Sequence, residues 1–414
     1  MMKKKFLVLA LTLIVVLSAA SAAFGEGKTI VYWSMWSDAE PQAIVIKEAI
    51  EAYEAESGNT VDIQFKGRTG IREGLQAALD AGTVIDLFDE DIDRVNVQWG
   101  AYTMDLEELV KSSNYEETAI AGLMAAAREV AGGTLKSIPY QPNLFEVFYN
   151  AEIFAEAGVE TVPTTWEEFV AAAEKIKDAG YVPFTSDDAY IIGNYGYQLA
   201  RYIGVDGVKK VVDEGLWAET PEALLAAQDY AMMAEKGLLS ETFGTAAWPT
   251  NQNGEFALGE AAMYLNGSWL PNEVKDLTGD DFSWGCFAYP AVPNGKTGLD
   301  AANFGAQVFA INAKSEVAPE AFAIIEKITK GEYDLKLSTE SVGIPADTTN
   351  TEWPEKLTAV RPVMESLMVR FPWSAGIENN PDMTPLIKEN FQKLCTGAID
   401  AQTFVDNLEA ASGK

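Results

Sequence analysis

TIVYWSMWSDAEPQAIVIKEAIEAYEAESGNTVDIQF, residues 29–65, holds two β-rich runs separated by one helix's worth of chain. Thr29 to Trp33 is a short strand. Ser37 to Glu40 has the spacing of a capping box and opens a helix with Val45, Ala49, Ala52 and Tyr53 on one face. Gly58-Asn59 stops that helix. Thr60 to Phe65 then alternates, placing Val61, Ile63 and Phe65 on one side, as a half-buried strand does. A helix over Ile71–Ala81, ended by Gly82, and a strand over Val84–Phe88 continue the pattern. Strand, helix, strand and helix at this spacing predict right-handed crossovers, a mainly parallel sheet and the α/β class.

Working outward, the middle of the chain is richer in helix. Asn150 is placed to cap a short helix closed by Gly158, and Thr165 with Glu168 forms a second capping box. Phe169, Ala172, Ala173 and Ile176 give the helix that follows one apolar face. Further helices are expected over 189–203, 205–214, 221–236 and 253–259. Two punctuation zones, Ile138–Asn143 and Tyr289–Gly298, are rich in proline or glycine yet too short and apolar for disordered linkers. They read as crossings between two α/β parts.

The chain has 414 residues, enough for two or more domains, with 62 Asp and Glu against 30 Lys and Arg, a net charge of −32, and no histidine. The missing histidine excludes Ser-His, Cys-His and His-metal chemistry. The acidity makes nucleic acid and anionic membrane surface poor partners. At the N-terminus, Lys3, Lys4 and Lys5 precede an apolar run from Phe6 to Leu17 and a small-residue segment ending at Gly25. This reads as a secretory signal over residues 1–25, with Ala22 and Ala23 as alternative cleavage points. No cysteine lies near the cleavage site, so a free periplasmic product without a lipid anchor is expected. No later apolar run approaches a membrane span. Cys286 and Cys395 allow one disulfide, or two buried thiols acting as small hydrophobes.

Several phrases together carry a resemblance. Ile138-Pro139-Tyr140, then Val147-Phe148-Tyr149-Asn150, Phe154 and Ala157-Gly158 resemble the first interdomain crossing of bacterial ABC-transporter sugar-binding proteins, the family that includes maltose-binding protein. Pro163-Thr164-Thr165-Trp166-Glu167-Glu168-Phe169 is similar to the helix opening that follows there. Phe256 to Gly259, Ala261-Ala262-Met263 and Asn266-Gly267-Ser268-Trp269 resemble the F-x-x-G-x-A-A-M and G-x-W signature. Gly343-Ile344-Pro345 resembles a later turn. The resemblance implies a two-lobe periplasmic-binding-protein fold of type II character with a multi-strand hinge and a ligand cleft. Lobe one would comprise 26–141 and 287–336, and lobe two 142–286 and 337–414.

A sugar offers hydroxyls that need planar hydrogen-bonding partners and a C–H face that packs on aromatic rings. A binder without catalysis therefore needs tryptophan or tyrosine platforms with carboxylates, amides and arginine around them. Trp269 holds the G-x-W position that in the family stacks on sugar. Asn143 falls where the maltose-binding relative places a carboxylate, and an amide there argues against maltose. Trp36 follows the first strand, at the carboxyl end where α/β sheets place ligands. Asp89, Glu90, Asp91 and Asp93 follow the strand ending at Phe88. Their spacing invites a calcium loop, but Arg94 and Gly100 stand where the turn glycine and the bidentate glutamate belong. Asp89 and Glu90 are read instead as hydroxyl acceptors, and Asp91 and Asp93 as a solvated helix start. Tyr190, Asn194, Trp248, Phe304, Arg370 and Trp373 complete the candidates, each with ordinary packing as the competing reading. No cofactor and no metal is called for.

The function expected is capture of a mono- or oligosaccharide by a monomer that delivers it to the transmembrane subunits of an ABC permease. One alternative is a cationic solute such as a betaine or polyamine, caged by Trp36, Trp269 and Trp373 with Asp89 or Glu90 as counter-ion. Another is a secreted glycoside hydrolase using two carboxylates.

Overall fold

The structure is a computed structural model and describes residues 27–413 apart from Pro249 and Asp280. The export-signal reading of residues 1–25 lies outside the described residues. Among the described residues nine strands run in the order β1 (Thr29–Ser34), β2 (Thr60–Phe65), β3 (Leu87–Asp91), β4 (Ile138–Asn150), β5 (Val182–Thr185), β6 (Ala261–Gly267), β7 (Trp284–Phe287), β8 (Ala301–Ile311) and β9 (Val369–Arg370). The chain divides into two compact units. The first comprises the described residues up to Glu117, with Ala127–Ile138 and Val308–Leu337; the second comprises Thr118–Ala126, Pro139–Gln307 and Ser338–Lys414.

In the first unit β1 pairs in parallel with β2 on one side and β3 on the other. The helix Pro41–Ser57 packs Val45, Ile46, Ala49, Ile50 and Tyr53 inward and ends on Gly58 in the left-handed region, φ 74°. It starts at the proline, so the expected capping box forms only in its acidic half: the Ser37 amide donates to Glu40 Oε2 at 2.7 Å, and no side chain caps the first turn. The next helix is longer than the periodicity predicted, running Gly67–Asp80. The strand expected over Val84–Phe88 lies three residues later, over Leu87–Asp91, with Val84 69% exposed. Asp89 and Glu90 extend the strand because long-range partners inside the unit neutralise their burial, as detailed below.

In the second unit β6 lies between β4, antiparallel to it, and β5, parallel to it, while β7 pairs with β4. Asn150 caps Ala151–Glu156 by accepting from the amides of Glu152 and Ile153, and Thr165 with Glu168 forms a complete capping box on Trp166–Asp178. The two helices expected at 189–203 and 205–214 are one run, Ile191–Glu214, interrupted at Gly204 with φ 70° and ψ 166°. That helix packs with Pro221–Glu235, Thr384–Cys395 and Ala401–Ala411 around Tyr195, whose ring lies 5.2 Å from Phe391 and 4.9 Å from Phe404. Cys286 and Cys395 are both buried free thiols.

The return to the first unit falls at Val308, where the resemblance implied 287. Arg201 Nε donates to the Pro290 carbonyl at 3.2 Å, Nη2 to Tyr289 at 2.7 Å and Nη1 to Ala301 at 2.7 Å. These bonds hold 289–301 within the second unit.

Candidate functional site

In the first unit the carboxyl ends of three parallel strands lie side by side, and the sequence candidates there are Trp36, Asp89 and Glu90. All three are buried. Asp89 accepts from the Tyr32 hydroxyl at 2.9 Å and the Met35 amide at 3.3 Å. Burial, and then the charge of Asp89, push the Tyr32 hydroxyl pKa up, so it stays a phenol that donates. Glu90 accepts from Arg72 Nε at 2.5 Å and from the Asp91 amide at 2.6 Å, with Arg94 Nε 3.4 Å from its other oxygen. Asp91 accepts from the amides of Asp93 and Arg94 and so starts the π turn Arg94–Gln98. That part of the acidic run is a helix start, but Asp91 is partly buried rather than solvated. Trp36 lies beneath the Arg68 guanidinium, 4.7 Å from its ring centre, and Arg68 in turn pairs with Glu40 at 2.8 Å. Arg68 and Arg72, about two-fifths exposed, present polar atoms at this end, and the sequence reading did not single them out.

In the second unit four candidates from distant parts of the chain converge. Trp269 Nε1 donates to the Tyr190 hydroxyl at 3.2 Å. The Trp373 ring lies 5.9 Å from Tyr190 and 6.3 Å from Trp269, and Trp248 lies 6.5 Å from Tyr190. At their base is Phe145 of β4, 5.2 Å from Tyr190, 5.0 Å from Trp373 and 6.3 Å from Trp269, nearly parallel to the last. Phe145 and Tyr190 are buried, Trp269 and Trp373 half-buried, and Trp248 is 43% exposed. The group is a buried floor carrying three accessible indoles. Asn143 is half-buried two residues before Phe145 on β4, hence on the same face of the strand.

Each ring is held by local chemistry. Asp187 accepts from the amides of Ala189 and Tyr190, both at 2.8 Å, and from the Tyr264 hydroxyl, fixing the turn that presents Tyr190. Burial raises the Tyr190 hydroxyl pKa, and the nearby Glu273 carboxylate adds to this, so the ring stays neutral. The Trp248 amide donates to Asp188 at 2.9 Å. Trp373 is followed by Ser374, Ala375 and Gly376 at φ 50°, 53° and 89°. Two non-glycine residues in the left-handed region are strained, and packing on the helix Ile191–Glu214 holds them. A Cβ on Gly196 would lie 2.3 Å from the Ser374 carbonyl, and one on Gly193 3.1 Å from Phe145.

The other candidates are placed elsewhere. Asn194 is fully buried, donating to Ser186 Oγ at 2.9 Å and the Tyr190 carbonyl at 3.1 Å and accepting from Tyr230. It supports the Tyr190 turn. Phe304 is buried, and Arg370 Nε donates to its carbonyl at 2.8 Å, which ties the short β9 to β8. Phe145 was missed because an apolar residue in a central strand gives no signal beyond core.

No helix among the described residues is long and apolar enough to cross a membrane. The apo form of RafE from Streptococcus pneumoniae superposes with a TM-score of 0.74 over 93% of this chain and 97% of that one, at 19% identity. The chain is 27% identical over 272 residues to the multiple sugar-binding protein of Streptococcus mutans, covering 60% of this chain and 62% of the relative. It is 26% identical over 226 residues to a binding protein of Brucella abortus, covering 53% and 52%. The chain thus spans about half the length of the first curated relatives it matches. The family profile itself matches residues 37–333, well over half of the chain. The chain belongs to the bacterial extracellular solute-binding proteins.

Proposed function

We propose that this protein captures a neutral carbohydrate outside the cytoplasm, without catalysis, and delivers it as a monomer to the transmembrane subunits of an ABC importer. The observation that carries this reading is the trio of accessible indoles, Trp248, Trp269 and Trp373, set around Tyr190 and Phe145. Aromatic faces of this kind pack against the C–H face of a pyranose while neighbouring groups take its hydroxyls. Asn143 and the Tyr190 hydroxyl are the neutral hydrogen-bonding groups assigned to the ligand. The name of the Streptococcus mutans relative supports the substrate class.

A cationic solute held by Asp89 or Glu90 draws less support, because both carboxylates are engaged. Asp89 holds Tyr32 and Met35, and Glu90 holds Arg72 with Arg94 beside it. The direct test is a thermal-shift screen of the purified protein against neutral mono- and oligosaccharides, with betaine and spermidine alongside. Stabilisation by at least one saccharide is expected. Stabilisation by the cations alone would overturn the reading.

A further inference from the structure

The phrase Gly343-Ile344-Pro345 lies outside the aromatic group, yet strained backbone links it to the strand that carries Phe145. Gln141, inside β4, has φ 47°, and Val342 has φ 51°. Both lie in the left-handed region, which breaks regular strand geometry and which a β-branched side chain tolerates worst. The two residues fall just inside the stretches Pro139–Gln307 and Ser338–Lys414, at two of the places where the chain enters the second unit.

Val342 ends the helix Gly331–Ser341. The Gly343 amide donates to the Ser338 carbonyl at 2.8 Å and the Val342 amide to that of Thr339 at 3.5 Å, a helix stop whose left-handed position usually holds glycine. The sequence supplies a glycine one residue too late, and Gly343 has no positive φ. Its small size meets a different need, since a Cβ there would lie 3.0 Å from Gln141 Nε2 and 3.2 Å from Ser341 Oγ. That space admits a clasp within the second unit: Gln141 Nε2 donates to Ser341 Oγ at 3.0 Å, and the Ser341 hydroxyl donates back to Gln141 Oε1 at 3.3 Å.

Glycine would take the conformation of Gln141 or Val342 freely, so the side chains present there are retained against a conformational penalty. Strain of this kind persists where surrounding contacts hold it, and an irregular step in a strand re-aims the side chains beside it. The side chains that follow Gln141 on its face of β4 are Asn143 and Phe145. We infer that Gln141 is a positioning residue: its clasp with Ser341, seated beside Gly343, fixes the left-handed step in β4 that aims Asn143 and Phe145 at the ligand. The ligand's part in this rests on the carbohydrate reading above. Val342, stiff at χ1, pins the turn that presents Ser341.

The test is hydrogen–deuterium exchange of the free protein, beside calorimetric titration of the saccharide giving the largest thermal shift. The proteins are wild type, Gln141→Gly, Ser341→Ala, the double variant and Val342→Gly. Glycine at 141 keeps the backbone conformation and removes the clasp. Gln141→Gly and Ser341→Ala should each unfold in one cooperative transition and speed exchange in both 139–145 and 338–343. Each should weaken the saccharide roughly three- to tenfold, the scale of one hydrogen bond. The double variant should bind no more weakly than either single one, because both remove the same contact. Val342→Gly should melt higher than wild type while exchanging faster over the same two segments. Unchanged exchange, faster exchange confined to the substituted segment, unchanged affinity or additive losses in the double variant would overturn the inference and leave the carbohydrate reading standing. Absence of any saccharide binding to wild type would overturn that reading and the aim toward a sugar with it, while the exchange pattern would still decide whether the clasp holds β4.

Discussion

A Cβ added at Gly267 would lie 2.2 Å from ring atoms of Trp269. The indole folds back over the backbone two residues before it, which accounts for the small residue in the G-x-W phrase. Gly267→Ala should therefore displace the Trp269 ring without opening the core. We expect the affinity for the best saccharide to fall roughly tenfold or more, with the melting temperature nearly unchanged. Calorimetry beside a thermal melt checks both, and unaltered binding would mean that Trp269 does not carry ligand.

Arg201 is fully buried, and its bonds to the carbonyls of Tyr289, Pro290 and Ala301 join a helix of the second unit to the segment leading into β8. Arg201→Met would strand those carbonyls and remove the positive charge near the buried Glu146 carboxyl. A loss of about 3–5 kcal/mol in urea unfolding is expected, the range for breaking a buried, hydrogen-bonded charge. Limited proteolysis should then find new cleavage within 289–301.

Burial lifts the Glu146 carboxyl from 4.5 to about 8, against the opposing pull of Arg201 and the hydrogen bond from the Tyr289 amide. Between these two values the unfolded chain has lost the proton and the folded chain keeps it. The group's stabilising contribution is thus full below pH 4.5 and declines as the pH rises toward 8, at about 1.4 kcal/mol per pH unit. Glu146→Gln cannot titrate, so its melting temperature relative to wild type should climb steadily from pH 5 to pH 8.5. A constant difference across that range would refute the assignment.

Salt should separate stability from binding. With a net charge of −32 the folded chain repels itself, and raising sodium chloride from about 0.01 to about 0.5 M should raise the melting temperature by screening. The saccharide dissociation constant, resting on stacking and neutral hydrogen bonds, should change less than about twofold over the same range. A steep salt dependence of binding would point to a charged ligand.

Local signals in the sequence located the α/β pattern and its punctuation well. Gly58 ends a helix, Asn150 and Thr165 start two, and Gly204 breaks a third, because each effect is decided within a few residues. The register of β3 was not legible. A strand that continues through Asp89 and Glu90 depends on Tyr32 and Arg72, which arrive from other elements. The same distance effect hides the anchoring of 289–301, since Arg201 lies 88 residues from the carbonyl of Tyr289 that it holds. Of the site candidates, Tyr190, Trp248, Trp269 and Trp373 converge because turn chemistry and aromatic type mark them, while Phe145 looks like any core residue. Asp89, Glu90 and Asn194 have the residue types a sugar site needs, but their burial and partners are tertiary properties.

The central claim rests on the indole platforms, and one titration tests it most directly. The saccharide giving the largest thermal shift should be titrated calorimetrically into wild type and Trp269→Ala at matched concentrations. Saturable binding to wild type and a loss of roughly tenfold or more in the variant, which still unfolds in one cooperative transition, is the predicted result. Equal binding by the two proteins would contradict it.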